Sequence, residues 1–126
     1  MEEDLLALLL ASSGVTALVG DRIDWGAIPQ GRPWPCVALH LISDPGDHTL
    51  DGPTGMMAAR VQVDAWALTI GEAVVLGRAV RDALDGYRDD KFGSVLRVNR
   101  RTDRDGSHAD RPFRDSTDFI VHYHNH

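Results

Sequence analysis

The segment Leu50–Gly86 constrains the fold more than any other part of this chain. After a turn rich in glycine and proline, apolar and polar residues alternate over Ala59–Ala67, which is the period of a half-buried strand. Thr69 and Glu72 then form the pattern of a helix N-terminus, and Gly86 is a typical helix end. The segment therefore predicts a strand followed directly by a long amphipathic helix.

Helical spacing within this segment divides the predicted helix into a buried stripe and a polar side. The stripe that should pack on the sheet consists of Ile70, Ala73, Val74, Gly77, Val80 and Leu84. The residues expected to face elsewhere are Arg78, Arg81, Asp82 and Asp85. Because glycine has no side chain, Gly77 is expected to let the helix approach the strands closely.

The remaining elements complete the predicted fold class. Glu2–Ala11 is predicted to form an N-terminal helix, and Val15–Val19 a short helical turn closed by Gly20. Strand patterns lie at Cys36–Ile42, Phe92–Asn99 and Thr117–His124, with a short candidate at Arg22–Trp25. Since loops connect most of the strands, the order predicts an α+β fold. We expect one domain over residues 1–126: an antiparallel or mixed sheet of about four strands, with the long helix and the N-terminal helix packed on it.

Composition and charge limit the classes of function. Hydrophobic content of 43% and charged content of 25% are ordinary for a globular protein. The net charge of −6 disfavours general nucleic-acid binding. The apolar run Leu5–Ala11 follows three acids and is too short to span a membrane, so no membrane partner is expected. Cys36 is the lone cysteine and is expected to be a small buried hydrophobe.

The charge is distributed unevenly along the chain. Six arginines and three aspartates give residues 97–114 a local charge of +3, so the remainder carries −9. A basic loop on an acidic body could dock an acidic partner or approach a phosphate backbone. The alternative is a solvated loop without a partner.

Two segments, Ser43–Gly55 and Arg100–Asp115, are predicted to be long loops. Loops of this length in a compact domain are usually functional or disordered. Leu50 and Phe113 are isolated apolar residues in polar loops, which is typical of residues that anchor another surface. Each loop could instead fold back onto its own domain. The candidate assembly contacts are Asp47, His48, Leu50, Asp51, Arg100, Arg101, Arg104 and Phe113.

The chain shows no motif of a catalytic site. Nucleophile elbows, zinc-protease, phosphate-loop and dinucleotide-binding patterns are absent from the sequence, so we expect no enzyme and no cofactor. His122, His124 and His126 alternate at the C-terminus, about 6–7 Å apart on an extended strand, which is wide for one metal ion. A metal-binding module or enzyme that uses these histidines and an acidic partner remains an alternative.

Three ordered strings carry a resemblance to a known family: GDRIDWGAIPQGRPWPCVALHLIS, LDGPTG followed by ARVQVDAW, and EAVVLGRAVRDALDG. Together they resemble the tail-terminator or tail-completion proteins of phages, prophages and gene transfer agents. The resemblance runs from about Leu5 to Gly86, and the later strands fit the family in layout.

This resemblance implies a structural virion protein of the tail or neck, assembled in the bacterial host cytoplasm. The implied assembly is a hexameric ring at the head-proximal end of the tail tube, which stops tube polymerisation. Its implied partners are further copies of the chain, the tail tube protein and the head-completion or stopper protein. DNA would be only cargo passing through the lumen, where a negative charge would keep it from binding. Another neck component, such as a stopper or adaptor, is the alternative within this class.

Overall fold

The computed structural model describes residues 2–26, 31, 33–43, 56–88, 92–104 and 111–124. Within them the chain forms three helices, α1 (Glu2–Ala11), α2 (Ser13–Val19) and α3 (Ile70–Leu84). The strands are β1 (Ile23–Trp25), β2 (Cys36–Ser43), β3 (Met56–Ala67), β4 (Phe92–Arg104) and β5 (Phe113–His124). No helix in this part of the chain has both the length and the apolar character needed to cross a membrane.

The strands form one mixed sheet with the order β1-β2-β3-β5-β4. β1 pairs with β2 in parallel, whereas all other neighbours are antiparallel. The predicted α+β class is confirmed, with five strands instead of about four. β4 returns to the sheet beside β5 and not beside β3, so it lies at the edge opposite β1.

The face of β3 that the alternation predicts to be apolar is buried: Ala59, Val61, Val63, Ala65 and Ala67. Asp64 and Trp66 on the opposite face are buried as well, so the second half of the strand is buried on both faces and not half-buried as predicted. On β5, Phe119 and Val121 are buried on the helix-covered face, each paired in the sheet with a residue of β3. The main core lies between this face and the three helices, and its largest members include Phe119, Leu5, Leu9, Leu39, Leu76 and Leu84.

α3 begins and ends as its sequence predicts. Thr69 is the N-cap, and its Oγ1 accepts a hydrogen bond from Glu72 N at 3.2 Å. After Leu84, the chain leaves the helix through Asp85 and Gly86, whose φ of 81° favours glycine. A single cap of this kind is worth about 1 kcal/mol, so most of the helix's stability comes from its packed face.

Four residues of α3 do not lie where the sequence predicts. Ile70 is exposed and Val74 only half-buried, whereas Leu76 is buried. Arg81, which was expected to face away from the sheet, instead reaches a buried carboxylate on β5. The physical reason is that Asp115 of β5 lies against α3 and binds Arg81, a charged contact that the pattern of apolar residues does not reveal.

Candidate assembly surface

The arginine-rich segment is a strand pair and not the long loop that its composition predicts. β4 extends to Arg104 and β5 begins at Phe113, so only 105–110 fall outside the described residues and only 111–112 are described as lacking regular structure. Arg104 pairs with Phe113 in the register, and its guanidinium carbon lies 4.7 Å from the centre of the Phe113 ring. A charged strand is possible here because its arginines face carboxylates on the neighbouring strand. Of the predicted loop Ser43–Gly55, Ser43 ends β2 and the rest lies outside the described residues.

The structure places half of the predicted contact residues. Arg100, Arg101, Arg104 and Phe113 lie together near one end of the β4–β5 pair. The other predicted contacts, Asp47, His48, Leu50 and Asp51, lie outside the described residues.

A buried carboxylate joins α3 to this strand pair. Asp115 is fully buried on the helix-covered face of β5. Arg81 Nη1 of α3 lies 3.2 Å from Asp115 Oδ1, and Arg100 Nη2 of β4 lies 2.8 Å from Oδ2. Arg81 also donates to Thr117 Oγ1 at 3.3 Å. One carboxylate thus ties a helix and two strands together.

The site shifts the pKa values of Arg81 and Arg100 in opposite directions. The hydrogen bond to Asp115 raises the pKa of Arg100, because it favours the charged guanidinium. Burial lowers the pKa of Arg81, because it removes water from the charge, although Asp115 opposes that effect. Arg100 Nε and Nη2 both donate to Asp115, which fixes the orientation of a side chain that is just over a third exposed.

A second polar network covers the opposite face of the sheet, which the helices leave open. Asp64 of β3 is buried there and accepts hydrogen bonds from Ser116 Oγ at 2.6 Å and from Gln62 Nε2 at 2.8 Å. Its Oδ2 lies 3.2 Å from His40 Nε2 and 3.7 Å from Arg114 Nη1. Asp64 is therefore a buried carboxylate that is paired with an arginine of β5.

The order of contacts in this network argues against nucleophilic catalysis. In a hydrolase triad, histidine stands between the serine and the carboxylate, so that it can take the hydroxyl proton. Here the carboxylate of Asp64 stands between Ser116 and His40, and Ser116 is fully buried. Ser116 donates to Oδ1 of Asp64 and His40 approaches Oδ2, so the arrangement holds the carboxylate within the sheet.

The remaining arginines of this face are also paired. Arg60 and Arg101 both approach Asp118 Oδ2, at 3.0 and 3.6 Å, and Arg114 pairs with Asp103. Arg101 Nη2 also donates to Gln62 Oε1 at 2.8 Å. The charges on this face therefore largely neutralise one another within the subunit.

The histidine-rich C-terminus is described only in part. His122 Nδ1 lies 3.0 Å from Ser94 Oγ of β4, and His126 lies outside the described residues. In the part of the chain that the structure describes, no group of three or more histidine, cysteine or acidic residues is arranged to hold a metal ion.

The outer edge of β4 divides into a covered half and an open half. The residues after α3 cover the first half: Gly86 N donates to Val95 O, Val95 N to Tyr87 O, and Arg97 N to the side chain of Asp85. For the second half, residues 98–104, no further main-chain hydrogen bond is found among the described residues. We call residues 98–104 the open β4 edge. Unpaired strand edges can pair with other chains, so this edge is a candidate assembly surface.

Sequence reasoning missed Arg81, Asp115 and Asp118. A signal for two of them was present, because Arg81 lies four residues after Gly77 on the same helix face. Extending the alternation of β5 back from Thr117 also places Asp115 on the core face. Asp118 left no comparable signal, since its burial depends on arginines from two other strands.

Comparisons with known proteins point to one family. A family model described as "Tail completion protein gp17" matches residues 3–124. No curated protein matches the chain in sequence. A chain from the structure titled "Virion of native gene transfer agent (GTA) particle" shares the fold, with a TM-score of 0.72 and 16% identity. That match covers 96% of this chain and 92% of the other.

Proposed function

We propose that copies of this chain, which belongs to the tail completion protein gp17 family, form a ring at the head-proximal end of a tail tube. Membership makes the chain a structural protein of a phage-type tail. In our proposal the ring ends tube polymerisation and binds the head-completion or stopper protein. It would be hexameric, would assemble in the host cytoplasm, and would let DNA pass through its lumen.

The observation that carries this proposal is the family match over nearly the whole chain. Two features of the described residues support it. The buried carboxylates are occupied by arginines of the same subunit, so the polar networks serve rigidity. The open β4 edge offers a surface on which another chain could pack. A ring subunit needs rigidity and an unsatisfied surface, and it needs no catalytic group.

Deletion of the gene from the host that makes the particle tests the proposal. We expect tail tubes of irregular and excessive length, together with heads that lack tails, in negatively stained electron micrographs. Re-expression of the chain should restore uniform tubes joined to heads. Tubes of normal length attached to heads in the deletion strain would contradict the proposal.

The same experiment distinguishes the alternative within the tail and neck class. A stopper or adaptor acts after the tube is complete, so its loss should leave tubes of normal length that are not joined to heads. Tube length therefore separates a terminator from another neck component.

A further inference from the structure

The strand order places two different surfaces on opposite sides of the molecule. β4 is one edge of the sheet and β1 is the other. Neighbouring strands are spaced about 4.8 Å apart, so these edges lie about 19 Å from each other. Surfaces on opposite sides can bind two different neighbours at once.

The β4 side is basic and partly apolar. β4 and β5 together carry five arginines against three aspartates, a sum of +2. Arg100, Arg101 and Arg114 are paired with these aspartates within the subunit, so the excess positive charge of β4 comes from Arg97 and Arg104. Leu96 and Val98 of this strand are each about half exposed. Beyond Val98 the strand runs along the open β4 edge described above.

The β1 side is acidic. Residues 2–25 carry five carboxylates against one arginine. Trp25 Nε1 of β1 donates to the main-chain oxygen of Glu2 at 3.0 Å, which holds the acidic start of α1 beside β1. The charge of this side is therefore opposite to that of β4.

An apolar cleft lies near the start of β1, because Arg22, the residue before β1, donates from Nε to the main-chain oxygen of Pro35 in the cleft wall at 2.8 Å. It has a volume of about 340 Å³ and is formed where α2, the residue before β2 and the start of α3 meet. The residues that line it are Leu18, Pro35, Gly71, Glu72, Val75 and Leu76. Val75 is half exposed, and the neighbouring Ile70 and Leu68 are exposed to a similar extent. The cleft could accept aliphatic side chains of another chain.

We infer that these two surfaces bind each other in the ring, so that β4 of one copy packs against the α2–α3 cleft and the acidic α1–β1 side of the next. This inference rests on the proposed ring. The contact brings opposite charges together and gives Leu96 and Val98 an apolar partner. It is heterologous, which is the kind of contact that closes into rings.

The charge of β4 also disfavours pairing of two β4 edges with each other. Two copies that paired their β4 edges around a two-fold axis would place arginines against arginines, and like charges across strands destabilise a sheet. A basic edge therefore selects an acidic partner over a second copy of itself. The partner surface that the described residues offer is the acidic side of the next subunit.

Cysteine cross-linking tests the inference. In a Cys36→Ala background, Val98→Cys on β4 and Val75→Cys in the cleft are combined and treated with a bis-maleimide, both in purified protein and in isolated tails. We expect a ladder of products at multiples of the 13.8 kDa chain mass, up to the closed ring. Each single variant should give no ladder. Leu41→Cys combined with Val98→Cys is the matched control, because Leu41 is similarly exposed but lies outside the cleft.

The possible outcomes distinguish failure of the inferred interface from failure of the proposed function. Dimers from Val98→Cys alone would show pairing of two β4 edges and overturn the inference. Tails that contain the double variant and join heads, but yield no ladder, would also overturn it and leave the proposed function standing. If the wild-type chain is missing from tails, the proposed function fails, and cross-linking of the purified protein still decides which surfaces meet.

Discussion

Gly77 determines where Asp115 can lie. A Cβ atom at residue 77 would stand 2.6 Å from Asp115 Cγ and 2.7 Å from its Oδ2, which is too close for van der Waals contact. Asp115 cannot withdraw without losing its contacts with Arg81 and Arg100. Glycine costs about 1 kcal/mol relative to alanine inside a helix. Here that cost allows α3 to lie directly on a buried ion pair.

Gly77→Ala should therefore lower the free energy of unfolding by about 1–3 kcal/mol, because the added methyl group overpacks the site. Gly71→Ala is the matched control in the same helix, since its Cβ would meet nothing within 4 Å. That control should leave stability unchanged or raise it by up to about 1 kcal/mol. Urea unfolding followed by circular dichroism measures both, and equal stability of the two variants would argue against close packing at Gly77.

At the scale of elements, ion pairs that cross between elements make β4 and β5 longer than their apolar residues predict. The sequence patterns cover only Phe92–Asn99 and Thr117–His124, where aliphatic and aromatic residues are frequent. The strands extend beyond these limits because Arg100 binds Asp115 and Arg114 binds Asp103 across the pair. Asp115 also binds α3 through Arg81, so one residue couples three elements.

Asp115→Asn tests this coupling with almost no change in shape. The substitution leaves Arg81 mostly buried without its counter-charge, so we expect a loss of about 3–5 kcal/mol in the free energy of unfolding. Asp103→Asn removes a carboxylate from the same strand pair, but Asp103 is 45% exposed, and its loss should cost about 1 kcal/mol or less. Chemical denaturation of both variants gives the comparison. A similar small loss in the two would mean that Asp115 does not hold α3 to the strands.

At the scale of the whole molecule, charge is separated across the sheet. The chain carries −6 overall, yet its arginines concentrate on the β4–β5 side and its N-terminal acids on the β1 side. In the inferred ring, this separation would favour head-to-tail contacts between copies. Charges at a rim change association rates and salt dependence more than they change affinity, so in that ring the apolar cleft would supply much of the binding energy.

A native mass spectrum of the untagged protein over a range of concentrations measures directly how many copies associate. We expect a species without metal at six times the 13.8 kDa chain mass, and its fraction should fall as salt is raised before transfer to the volatile buffer. A monomer that carries one tightly bound metal ion would instead favour the histidine-based alternative. A bare monomer would restrict ring formation to the end of the tube.

The sequence by itself determined the features that depend on neighbouring residues along the chain. The cap at Thr69, the buried apolar face of Ala59–Ala67 and the helix ending before Gly86 are confirmed because local geometry sets them. The resemblance to the tail-completion family, read from ordered local strings, also agrees with the family match.

Only the tertiary structure decided which charges are buried and which strand is left at an edge. Arg81 and Arg100 are 34 and 15 residues away from Asp115 in the chain, and they meet it only after α3 packs on the sheet and β4 pairs with β5. Local patterns classify a charged residue as exposed because an isolated buried charge is costly. Here distant partners offset that cost, so residues predicted to lie in a loop became paired strands. The position of β4 at the edge likewise follows from strand pairing, which no local pattern encodes.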